Sequence, residues 1–141
     1  MSDTRQKIMD TAEKCFARHG IPNASIRMII KEAKVNLGAV TYHFGSKDNL
    51  IAEIFKRRAI PINKEREVIL NEAQKEAGDQ PVSLKRVIEA IIIPQRKATK
   101  EYPEFLEFMM RLKNYPMPKF RKLLGTETEK LFNRFDNVFR S

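Results

Sequence analysis

The chain has 141 residues, 42% of them apolar and 32% charged, with one cysteine and a formal net charge of +9. That length suits one domain or two small ones sharing a core, and the apolar fraction excludes a disordered chain. A lone Cys15 excludes an internal disulfide and a thiolate metal site.

The N-terminus has no signal-like apolar stretch, and no run approaches the ~18 apolar residues of a membrane span. The expected location is therefore the cytoplasm, with no membrane partner. The basic surplus favours an anionic partner such as nucleic acid. It is spread along the chain, so on charge alone a solvated basic surface is equally consistent.

Glycine is scarce, and β-branched residues do not alternate with polar ones. Lys, Glu, Ala, Ile and Leu dominate, so the expected fold class is all-α. Asp3 and Gln6 make a capping box ahead of Ile8, Ala12, Cys15 and Phe16 at helical spacing. Gly20 and Pro22 end that helix, expected over 4–19. Cys15, close to Ala12 and Phe16, reads as a small buried hydrophobe.

Ser25 caps a short second helix with Ile26, Ile29, Ile30 and Ala33 on one face. Val35 plugs the turn that follows, and Asn36 caps a third helix over 37–43. Gly45 breaks it, and Ser46 caps a fourth carrying Leu50, Ile51, Ile54 and Phe55. Pro61 is expected to kink or end the fourth helix. The apolar pattern resumes through Val68, Ile69, Leu70 and Ala73 to Gly78. Ser83 caps the next helix, which Pro94 is expected to interrupt. Pro103 opens another. A last helix from 118 carries Phe120, Leu123, Leu124, Leu131, Phe132, Phe135, Val138 and Phe139.

Two short helices joined by a tight turn match a helix-turn-helix, whose second helix enters the DNA major groove. Small Gly38 and Ala39 allow close approach, and Val40 points inward. Thr41 brings a hydroxyl and a methyl to base edges. Tyr42 and His43 offer donors to phosphate. Helix N-termini capped by Ser25 and Ser46 carry Arg27 and Lys47, where a bound phosphate would offset the unfavourable helix-dipole interaction. The same angle also occurs as plain helix packing. His19 reads as a helix C-terminal residue. No metal site is expected from two distant histidines, nor any cofactor. No catalytic constellation stands out, so an enzyme is not expected.

The segment TRQKIMDTAEKCFARHGIPNASIRMIIKEAKVNLGAVTYHFGSKDNLIAEIF, residues 4–55, closely resembles the DNA-binding domain of the TetR family of bacterial transcriptional repressors. Its marks are FARHG, the Ser25 cap, the Val35 turn, and Tyr42, Phe44 and Lys47 in TYHFGSKDNL. The resemblance implies a helix-turn-helix DNA-binding domain over 1–48 and a helical effector-binding and dimerisation domain over 49–141. It implies a homodimer on a palindromic double-stranded operator, released when a small-molecule effector moves the fourth helix. The reading helices must then sit about 34–36 Å apart, one turn of DNA.

Carried over by position, base contacts fall to Arg27, Leu37, Ala39 and Thr41, with Asn36 and the close approach at Gly38. Phosphate contacts fall to Ser25, Tyr42, His43 and Lys47. Leu37 departs from the polar or basic residue usual there, so readout at that point is apolar.

VNLGAVTYHFGSKDNL with RRAIPINKERE looks like a subgroup that includes fatty-acid-responsive regulators. That implies an apolar effector, a fatty acid or acyl-CoA, lined by Phe105, Phe108, Met109 and Met110. The same helical spacing also reads as plain core. The chain is shorter than is usual in the family, so the second domain is expected to be partial. An alternative is a helical protein-interaction module or an inactive truncated remnant.

Overall fold

The structure, a computed structural model, describes residues 3–124, 129–130, 133–134, 136–137 and 140. Leu131, Phe132, Phe135, Val138 and Phe139 lie outside the described residues, as do the side chains of Phe120, Leu123 and Leu124. The elements are α1 (Asp3–His19), α2 (Ile26–Ala33), α3 (Leu37–Phe44), α4 (Lys47–Ala77), α5 (Leu84–Glu101), α6 (Pro103–Arg111) and α7 (Met117–Leu124). A 3₁₀ turn at Leu112–Asn114 follows α6. No strand occurs among the described residues, and the fold is all-α with an N-terminal helix-turn-helix unit.

Short polar side chains set the helix starts. The Ser25 hydroxyl accepts from the Met28 amide at 3.1 Å, and Asn36 Oδ1 accepts from the Ala39 amide at 2.8 Å. Ser46 and Ser83 do the same for Asn49 and Arg86, at 3.1 and 3.3 Å. Each satisfies a helix N–H that has no carbonyl partner, which stabilises the helix by about 1 kcal/mol. Helix α1 ends where Gly20, at φ +84°, turns left-handed and returns its amide to Phe16 O at 3.0 Å. Arg111 adds a cap from a distance, donating to Ala17 O at 3.2 Å and Arg18 O at 3.4 Å.

Pro94 does not interrupt its helix as the sequence suggests, and Pro61 does not end the helix that holds it. Helix α4 runs unbroken through Pro61, and α5 runs unbroken through Pro94. A proline inside a helix costs about 3 kcal/mol through the lost hydrogen bond and the ring clash. Helix packing offsets that cost here. Pro94 is fully buried, and Pro61 and Pro94 line the same cleft where α4 and α5 meet.

One apolar cluster runs through the described chain. Ile8, Phe16, Ile29, Val40, Leu50 and Ile54 from the first four helices join Ile62, Phe105, Phe108 and Leu112. Phe16 of α1 stacks 6.1 Å from Phe108, and Phe55 of α4 lies 6.3 Å from Phe105. Burying each such ring contributes about 1.5–3 kcal/mol. The helix-turn-helix unit is thereby fixed to α6. As expected, Cys15 is buried. It donates to Glu32 Oε2 at 3.2 Å, and burial with that carboxylate pushes the thiol up to about 11.

A charged cluster joins the same two regions. Glu13 is buried, and its carboxylate accepts from Arg57 at 3.1 Å and from Arg58 at 3.1 and 3.3 Å. Arg57 also reaches Asp10 at 2.7 Å, while the Arg58 guanidinium stacks 3.6 Å above the Tyr102 ring.

Candidate nucleic-acid interface

Helix α3 shows two sides. Val40 and Phe44 are buried, and Ala39 and His43 are half-buried. Leu37, Gly38, Thr41 and Tyr42 face outward, with Leu37 57% and Tyr42 84% exposed. The spacing i, i+1, i+4, i+5 is one continuous outer face of a helix. A large aromatic and a leucine exposed side by side on a short helix need a partner surface to justify their position.

The hydrogen-bonding capacity of this face follows from its local bonds. Thr41 Oγ1 donates to Leu37 O at 3.2 Å, so the hydroxyl proton is committed and its lone pairs and methyl remain for a ligand. Asn36 spends its carbonyl oxygen on the cap, which leaves its amide hydrogens as donors. Gly38 protects that cap: a Cβ there would come within 3.3 Å of Asn36 Oδ1. The Tyr42 ring meets His43 edge-on at 5.0 Å, which orients both at the C-terminal end of the face.

Ser25 and Arg27 are exposed at the start of α2. The first turns of α2 and α3 contain no acidic residue, so the positive ends of both helix dipoles are uncompensated. Lys47 is placed otherwise. Its ammonium donates to Ile21 O at 2.6 Å and sits 5.8 Å over the Phe16 ring. Burial pulls its pKa down, countered by Asp48 beside it. One of three ammonium protons is thus held inside the protein. Two interactions here had no sequence signal: this bond, and the contact of Asp48 with Tyr115 and Lys119.

The residues expected at an effector pocket are Phe105, Phe108, Met109 and Met110. Phe105 and Phe108 are buried against Phe16 and Phe55, Met109 is half-buried on the same cluster, and Met110 is 67% exposed. A cavity of about 270 Å³ lies between α4 and α5, lined by Arg57, Arg58, Pro61, Ile62, Pro94 and Tyr102 among others. Among the described residues no group of His, Cys, Asp and Glu could hold a metal ion, and no helix is long and apolar enough to cross a membrane.

Comparison with known proteins covers the same region. Residues 8–54 match the family model described as bacterial regulatory proteins, tetR family. The HTH-type transcriptional repressor AcnR of Corynebacterium glutamicum is 34% identical over 58 residues, 41% of this chain and 31% of that protein. The HTH-type transcriptional regulator AcrR of Shigella flexneri is 33% identical over 100 residues, 67% of this chain and 45% of that protein. The matched region thus spans less than half the length of either relative. A crystal structure described as a tetR family transcription regulator from Shewanella sp. PV-4 superposes with a TM-score of 0.60 at 20% identity, covering 99% of this chain and 69% of that one. Residues 8–54, the helix-turn-helix unit, are thus similar to the N-terminal domain of the tetR family of bacterial regulatory proteins.

Proposed function

We propose that the chain is the DNA-reading part of a ligand-responsive transcriptional repressor. The observation that carries this reading is the outer face of α3, where Leu37, Gly38, Thr41 and Tyr42 are exposed beside two uncapped-by-charge helix N-termini. In this reading Arg27, Asn36, Leu37, Ala39 and Thr41 meet base edges, with Gly38 admitting the backbone. Ser25, Tyr42, His43 and the remaining protons of Lys47 meet phosphate. Residues 1–48 form the DNA-binding domain, and 49–141 belong to an effector-binding and dimerisation domain.

The operator is palindromic and is bound by a homodimer. An exposed apolar stripe on α5, Leu84, Ile88, Ile91 and Ile92, supports association with a second apolar surface. The effector is a small molecule that releases the DNA. The cavity between α4 and α5 supports such a site, because it adjoins Arg57 and Arg58, which hold Glu13 of α1. Its charged rim suits an effector with a polar head, as a fatty acid or acyl-CoA has. Selection of bound duplexes from a random pool tests the reading. An enriched palindrome with half-sites one helical turn apart is expected; no enrichment over the starting pool would refute it.

A further inference from the structure

Two guanidinium groups on the wall of the α4–α5 cavity are only partly satisfied by the fold. Arg58 gives Nε and Nη2 to the Glu13 carboxylate, at 3.3 and 3.1 Å, and its Nη1 has no hydrogen-bond partner among the described residues. Arg57 gives Nη1 to Asp10 and Nη2 to Glu13, and its buried Nε has no partner among them either. The Arg57 and Arg58 side chains are 13% and 15% exposed, and that of Glu13 is 6% exposed. Two buried cations thus face one buried carboxylate. Asp10, 50% exposed, is screened by water. A buried charge short of a counter-ion favours one more anion beside it. The other acids of the rim are engaged. Glu65 pairs with Lys97 at 3.1 Å, and Glu101 accepts from the Tyr102 hydroxyl.

The rest of the wall sets the body of the ligand. The side chains of Pro61, Ile62, Pro94 and Ala98 offer no hydrogen bond. The Tyr102 ring backs the Arg58 guanidinium at 3.6 Å, which fixes its plane. The volume of about 270 Å³ is the space of about nine waters. That admits one carboxylate on a short apolar tail and excludes a nucleotide-bearing thioester such as acyl-CoA.

We infer that this cavity takes a small apolar monocarboxylate, whose two oxygens pair with Nη1 and Nη2 of Arg58 and draw the guanidinium off Glu13. This deepens the effector site proposed above, and its effect on DNA rests on that reading. Such an end-on pair is the strong form of arginine–carboxylate contact. It leaves Glu13 to Arg57, so the ligand loosens the tie between α1 of the helix-turn-helix unit and α4.

The test is calorimetric titration of the full chain with octanoate, octanol and octanoyl-CoA. Octanoate should bind, and the other two should each bind at least about tenfold more weakly. Arg58→Gln should weaken octanoate by about tenfold or more. Ala98→Leu fills the cavity and leaves the Glu13 bonds in place, so it should abolish octanoate binding in a chain that keeps its helical circular dichroism. On saturation with octanoate the Arg58 Nε–H signal in a proton–nitrogen correlation spectrum, identified by its loss in Arg58→Gln, should move. Equal binding of octanol, full binding by Arg58→Gln, or an unmoved signal would overturn the inference. No octanoate binding by a chain that still enriches a palindrome would overturn it alone. Octanoate binding through Arg58 by a chain that enriches no duplex upholds the site and sinks the DNA-reading function.

Discussion

The Lys47 ammonium donates to the backbone carbonyl of Ile21 at 2.6 Å, tying the first turn of α4 to the loop between α1 and α2. Lys47 is thus a fastening within the helix-turn-helix unit as well as a candidate phosphate contact. Lys47→Met keeps the stem and removes the bond. It should lower unfolding stability by about 1 kcal/mol, measured by urea titration. A stability equal to that of the unaltered chain would show that the residue serves only the ligand.

Glu13 holds both Arg57 and Arg58 while itself buried. Removing its charge leaves two guanidiniums in a poorly solvated place with fewer acceptors. Glu13→Gln should cost about 3 kcal/mol, the usual result of breaking one side of a buried pair. Arg57 keeps Asp10, and Arg58 keeps the Tyr102 ring, so a larger loss is not expected. The denaturant midpoint of the variant checks this.

Phe108 fills the junction between α6 and α1 and is fully buried beside Phe16. Phe108→Ala should cost about 3–5 kcal/mol, because the void forms inside a packed cluster. If Phe108 lined an open pocket instead, truncation would cost far less. Chemical denaturation distinguishes the two.

The contact between α4 and the segment after α6 should respond to pH at both ends. Hydrogen bonds from Lys119, at 2.5 Å, and from Tyr115 hold the Asp48 carboxyl below its ordinary value. A depressed acid contributes stability above its unfolded pKa, about 3.9, and loses it as pH falls through the folded value. Burial, and then the bond to Asp48, push the Tyr115 phenol up. A raised phenol contributes stability below its unfolded pKa of about 10, and loses it as pH rises toward the folded value. The difference in Tm between the unaltered chain and Tyr115→Phe should therefore shrink above about pH 10. A constant difference would contradict the assignment.

Helix starts were legible because their signals are local. Ser25, Asn36, Ser46 and Ser83 each cap the helix that the sequence places after them. The inward course of Val40 and the burial of Cys15 follow from spacing alone. Pro94 misled because a proline's local cost says nothing about the helix packed on it, and here the ring is buried where α4 and α5 meet. The left-handed Lys34 had no sequence signal either, since the position would ordinarily suit glycine. Glu13 could have been found: it lies four residues after Met9, on the apolar side of α1. Its partners on α4 come 44 and 45 residues later, beyond the reach of periodicity.

The central claim is that the face of α2 and α3 reads base sequence. The most direct measurement is the affinity of the chain for its selected duplex and for a scrambled one, with Arg27→Ala and Thr41→Ala alongside. Each substitution should cost about 1–3 kcal/mol on the selected duplex and narrow its advantage over the scrambled one. Equal affinity of the unaltered chain for both duplexes, or no effect of either substitution, would contradict the account.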